Sequence, residues 1–72
     1  MKAEVTAIIE KAQEGGFWAM CPEFPEANGQ GETIEETTEN LKQAIELIIQ
    51  DRIDNYCRGL PDDVIKQTLI IA

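Results

Sequence analysis

The sequence predicts an α+β domain in the order β-β-β-α-β, a four-stranded mixed sheet with one long helix on one face. Three observations predict it. Residues 3–12 and 17–21 are two β-prone runs joined through Gly15-Gly16, the pattern of a hairpin. Residues 34–58 place apolar side chains three and four positions apart, one stripe of an amphipathic helix. Residues 64–71 return to a β-branched, apolar run. With 72 residues and no repeat or linker, the chain is read as one domain over residues 1–72.

The elements follow in order. Val5, Ala7 and Ile9 share one face of the first strand, and Glu4, Thr6, Ile8 and Glu10 the other. Gly15 and Gly16 supply positive φ for the turn, and Phe17 to Cys21 form the second strand until Pro22 stops it. Pro22 and Pro25 make the next segment stiff. Residues 27–31 have poor strand propensity and are expected as a short edge strand. Thr33 followed by Glu36 is a capping box, so the helix starts at Ile34. Its apolar positions include Leu41, Ala44, Ile45, Ile48, Ile49, Ile53 and Tyr56. Gly59 and Pro61 end it near Arg58, about 37 Å from its start. Residues 64–71 are then the fourth strand.

Composition excludes several functions. The chain carries 14 Asp+Glu, 6 Lys+Arg and no His, a formal charge of -8. Six cations cannot build the basic footprint that phosphate neutralisation requires, so direct nucleic-acid binding is not expected. The lack of His removes the commonest general base and metal ligand, and Ser is absent too. No apolar run approaches the length of a membrane span or a signal peptide, so the expected location is the cytoplasm. Cys21 and Cys57 have neither zinc nor redox spacing and are read as small apolar residues. No cofactor and no metal are implied.

A single helix covers one sheet face, yet both faces carry apolar residues. Phe17, Ala19 and Cys21 point one way and Trp18 and Met20 the other, so whichever face the helix leaves bare carries an aromatic ring and several aliphatics; Trp18, Met20, Ile8, Leu69 and Ile71 are the candidates for it, with the choice of face left open. Soluble monomers rarely keep such a patch. A homo-oligomer, a dimer at the simplest, is therefore expected, with those five residues in its interface.

Three constellations invite chemistry. Glu4, Glu10 and Glu36 raise a metal-dependent nuclease, but a two-metal site needs convergent carboxylates, and these read as scattered solvated acids. Gly29-Gln30-Gly31 before a helix resembles a phosphate loop, but the glycine pattern fails at Ile34 and Glu32 opposes an anion. Cys21-Pro22-Glu23-Phe24-Pro25-Glu26 is either a recognition loop with an apolar anchor ringed by acids or a corner in which Phe24 plugs the core.

Five segments in order then point to a family: Ala-Ile-Ile-Glu-Lys (7–11), Glu-Gly-Gly-Phe-Trp-Ala (14–19), Cys-Pro-Glu-Phe-Pro (21–25), Gln-Gly-Glu-Thr-Ile-Glu-Glu (30–36) and Glu-Asn-Leu-Lys-Gln-Ala-Ile-Glu-Leu (39–47). Together they resemble the HicB-like antitoxins of type II toxin–antitoxin systems. The resemblance implies a partial ribonuclease-H-like fold, with the last strand parallel beside the first. It also implies a partner, a small basic mRNA-cleaving toxin of the HicA type. Many such antitoxins carry a C-terminal DNA-binding domain, and none is expected here. The chain has Pro25-Glu26-Ala27 where family loops often read Pro-Gly. Charge and expected exposure nominate Glu23, Phe24, Glu26, Glu32, Glu35 and Glu36 as the toxin-binding residues. The role is non-enzymatic. The alternative is a stand-alone oligomeric regulatory or scaffold domain without a toxin.

Overall fold

Residues 4–69 are described by the computed structural model; residues 1–3 and 70–72 fall outside it. Strands β1 (Ile8–Lys11), β2 (Phe17–Met20) and β3 (Asn28–Gly31) precede one helix, α1 (Ile34–Cys57). The strands form an antiparallel sheet in the order β1-β2-β3. Ile9 lies opposite Ala19, which lies opposite Gly29; Ile8 lies opposite Met20, which lies opposite Asn28. Alternation along each strand then sorts the side chains. Ile9, Ala19 and Gly29 face α1, while Ile8, Trp18 and Met20 take the bare face.

The hairpin forms as its glycines require. Gly15 has φ 105° and Gly16 φ 73°, values that L side chains rarely adopt. The Ala12 amide donates to the Gly16 carbonyl at 3.0 Å and closes the turn.

Segment 28–31 is a strand for a reason its propensity hides. A Cβ on Gly29 would sit 2.6 Å from the Leu41 amide nitrogen and 2.7 Å from the Thr37 carbonyl. A Cβ on Gly31 would sit 2.8 Å from the Thr37 amide nitrogen. The two glycines are a flat landing for the helix backbone, so β3 gains in helix contact what it lacks in side chains. The core is accordingly made of small residues: Ala19, Cys21 and Ala27 are buried with Leu41 and Ile45, and Ile9, Phe24, Ala44 and Ile48 pack around them. Thr37, fully buried, donates its hydroxyl to the Thr33 carbonyl at 2.7 Å, so its polar atom is satisfied.

Thr33 caps α1, its Oγ1 accepting from the Glu36 amide at 3.1 Å. The expected return bond from Glu36 goes one residue further back: Glu36 Oε1 accepts from the Glu32 amide at 3.3 Å. The helix stops at Cys57, and Gly59 adopts φ 82° just beyond it. Its buried residues are Thr37, Leu41 and Ile45, all in its first half. The second half overhangs the sheet, and the molecule is long, 52 × 28 × 17 Å.

The fourth strand is not seen among the described residues. Residues 64–69 form no strand, so the sheet among the described residues is three-stranded and antiparallel rather than four-stranded and mixed. Ile70 and Ile71 lie outside the described residues. Lys66 to Leu69 instead lie beside Ile53 and Tyr56 of the overhanging helix. The physical reason is visible in the sequence of this segment. Val64 and Ile65 are neighbours and so point to opposite faces of any strand, a pattern that needs cover on both sides. The one helix covers one side only. Strand one is also shorter than the expected 3–12, because only Ile8–Lys11 pairs with β2.

Candidate functional site

The six residues nominated for partner binding separate to two ends of the sheet. Glu23, Phe24 and Glu26 lie in the loop that leaves β2. Glu32, Glu35 and Glu36 lie where β3 turns into α1.

The loop is fastened down. Two successive turns shape it: the Phe24 amide donates to the Cys21 carbonyl at 3.1 Å, and the Ala27 amide to the Phe24 carbonyl at 2.9 Å. Phe24 is half-buried against the core, and the Arg52 guanidinium sits 5.5 Å from its ring centroid. The same guanidinium donates to Glu26 at 2.6 Å. Phe24 is thus a plug with a cationic lid, and Glu26 anchors the lid. Glu23 holds the other side. The Thr6 amide donates to its Oε1 at 2.8 Å, the Thr6 hydroxyl to its Oε2 at 2.9 Å, and the Cys21 thiol to Oε1 at 3.3 Å. The Thr6 backbone amide foremost, then the Thr6 hydroxyl, the residue's own amide and the Cys21 thiol lower the Glu23 pKa to about 2. Glu23 ties the segment before β1 to the loop after β2.

The other end is open. Glu14 from the hairpin turn joins Glu32 and Glu36 around a cleft of about 480 Å³, with Phe17 and Trp18 in its wall. Gly16 lets the walls approach, since a Cβ there would meet the Gly31 carbonyl oxygen at 2.7 Å. Glu35 stands exposed in the first turn of α1 beside it. Phe17 and Trp18, neighbours in β2, point to opposite faces of the sheet, so the acids rather than a stacked pair of rings are what can receive a cationic side chain here, by ion pairing. Glu14 and the aromatic wall were not nominated from the sequence. The available signal was an acid beside the Gly15-Gly16 turn, which an antiparallel meander brings to the same sheet end as the helix start.

The residues expected in an oligomer interface fall in two places. Ile8 and Met20 lie exposed and Trp18 half-buried on the sheet face opposite the helix. Leu69 is exposed beside the end of α1, and Ile71 lies outside the described residues. Glu4, Glu10 and Glu36 do not converge. Among the described residues no group of three or more His, Cys, Asp or Glu could hold a metal ion. The Gly29-Gln30-Gly31 run is the helix landing described above. Cys21 is buried, Cys57 half-buried, and neither forms a disulfide. No helix among the described residues is long and apolar enough to cross a membrane.

Comparison with known proteins places this architecture. The UPF0150 protein ssl0738 of Synechocystis sp. is 58% identical over 71 residues, covering 99% of both chains. The chain belongs to the UPF0150 family. A second UPF0150 protein of that organism, ssr1765, is 36% identical over 66 residues, 92% of this chain and 84% of its own. A UPF0150 protein of Helicobacter pylori is 40% identical over 47 residues, 65% of this chain and 64% of its own. No family model and no solved structure matches the chain. The match with ssl0738 runs nearly the full length of this chain.

Proposed function

We propose that this UPF0150 chain is a HicB-like antitoxin: a non-enzymatic protein that binds a small basic mRNA-cleaving toxin of the HicA type and blocks its RNA-binding surface. The observation that carries the reading is the cleft at the helix start. Glu14, Glu32 and Glu36 line one opening with Phe17 and Trp18, and Glu35 is exposed in the same first turn of α1 as Glu36. A basic ribonuclease must hold RNA with Lys and Arg, and a carboxylate cluster competes for those side chains. The net charge of -8 adds long-range steering toward such a partner.

The acids divide by what already holds them. Glu23 and Glu26 are engaged by Thr6 and Arg52, and Phe24 is packed, so this loop supports the scaffold. Binding then rests on Glu14, Glu32, Glu35 and Glu36. Glu36 contributes to the helix cap through one oxygen. The fold accords with a role in occlusion, since an antiparallel meander under one helix presents the cleft on rigid elements.

The test is toxin affinity of two variants measured side by side. Glu14→Gln with Glu32→Gln is expected to weaken binding at least about tenfold, the loss of about 1.4 kcal/mol. Glu26→Gln is expected to stay within about threefold, since its charge is spent on Arg52. Equal affinities for all three proteins would refute the cleft as the binding site. The stand-alone oligomeric scaffold is the alternative reading, favoured by the apolar overhang of α1. It predicts that no basic toxin binds at all.

A further inference from the structure

The end of the molecule opposite the cleft carries a surface that toxin binding does not use. Ile49, Ile53 and Tyr56 follow one another at spacings of four and three, so they share a stripe on the overhanging half of α1. All three are exposed, Tyr56 by 83%. Leu60, Val64, Ile65 and Leu69, beyond the helix, are all exposed too, and Leu69 lines a cleft with Ile53 and Tyr56. With Leu47, this region supplies eight of the twelve large apolar side chains exposed among the described residues. The bare sheet face supplies two of them, Ile8 and Met20.

Charge says what covers this surface. Residues 1–46 carry ten Asp or Glu against three Lys, while residues 47–72 carry four Asp against three Lys or Arg. The acidity is therefore concentrated at the cleft end and the sheet, and the apolar end is nearly neutral. A basic partner has little to read there. The mixed signs that remain are self-complementary. Arg58 and Lys66 lie in the same stretch as Asp62 and Asp63, and none of the four is in an ion pair among the described residues, where Arg52–Glu26 is the one such pair. A two-fold contact uses the same patch on both copies, so one that contains this stretch holds both signs of charge on each side. It would also keep the two acidic ends far apart, at opposite poles of an elongated particle.

We propose that a second copy of this chain covers the apolar end, through the Ile49-Ile53-Tyr56 stripe and the segment 60–69. The interface is thus at the helix overhang and not at the sheet face. It gives residues 64–69, apolar on both sides, the second cover that one helix cannot supply. It also leaves both clefts open, so the dimer is bivalent toward a partner. The proposal holds whether or not that partner is a toxin.

Sedimentation equilibrium of the full chain tests it. The wild type is expected at twice its 8.1 kDa mass at micromolar concentration. Ile53→Glu is expected to raise the dimer dissociation constant at least about tenfold, since it sets two like charges in the apolar contact. Met20→Glu on the sheet face is expected to leave the mass unchanged. Tyr56→Ala is the second variant. It removes a side chain that touches little in the monomer, so it weakens the dimer without endangering the fold, which circular dichroism verifies. A monomeric wild type would overturn the proposal. So would a dimer that survives both Ile53→Glu and Tyr56→Ala, or one that Met20→Glu alone dissolves.

Discussion

Gly29→Ala puts the packing of this fold to its sharpest test. The added Cβ would lie 2.6 Å from the Leu41 amide nitrogen, 2.7 Å from the Thr37 carbonyl oxygen and 2.9 Å from the Leu41 Cα. All three are helix backbone atoms, so no side chain can rotate away. The helix must lift or β3 must bend. Overpacking of this kind costs about 1–3 kcal/mol, and backbone contacts put it at the upper end. Alanine recovers about 0.4–1 kcal/mol by restricting the unfolded chain, which leaves about 2 kcal/mol lost. A domain of this size has about 4–11 kcal/mol in total. The melting temperature should fall by about 8–16 °C, taking about 4–8 °C for each kcal/mol. Circular dichroism melts at one fixed protein concentration read this directly, since the Tm of a chain that dimerises as proposed depends on concentration. Gln30→Ala is the control: its side chain points away from the helix. A Gly29→Ala melt that overlays the control would mean that α1 does not rest on β3.

Two further predictions concern the loop after β2. Phe24→Ala should destabilise by about 2 kcal/mol, below the range for a fully buried ring because Phe24 is only half-buried, and urea unfolding measures it. Glu23 predicts a pH dependence. Its folded pKa, about 2, lies below the ordinary 4.5, so its contribution is fully present above pH 4.5 and is lost as pH falls toward 2. Urea midpoints followed across that window should decline for the wild type and decline less for Glu23→Gln; parallel curves would show that the Thr6 contacts contribute nothing.

Much of this fold was legible because its signals are local. Gly15-Gly16 specified the hairpin, Thr33 the helix start and Gly59 its end, and each needs only a few neighbouring residues to be understood. What was not legible depended on distant partners. Segment 28–31 is a strand because Gly29 and Gly31 admit a helix that comes later in the chain, and propensity alone argues against it. Glu23 and Glu26 looked like open acids because the residues that engage them are 17 and 26 positions away. Phe24 likewise packs against the core and beside Arg52, a contact across 28 positions that the sequence does not display. The fourth strand was read from an apolar pattern that is real, but a pattern that demands cover on both faces does not say which surface provides it. Glu14 escaped because a turn acid is unremarkable until the meander brings it beside Glu32 and Glu36.

Inhibition of RNA cleavage tests the proposed role most directly. The probe is the product of the reading frame beside this one, assayed on RNA with increasing amounts of the purified chain. The account predicts that cleavage stops near one antitoxin chain for each toxin. It predicts that added salt weakens this effect, because the contact is between opposite charges. It further predicts that Glu14→Gln with Glu32→Gln shifts the inhibition curve to at least about tenfold higher concentration. Cleavage that continues unchanged at excess chain, or a neighbouring product that is neither basic nor a ribonuclease, would contradict it.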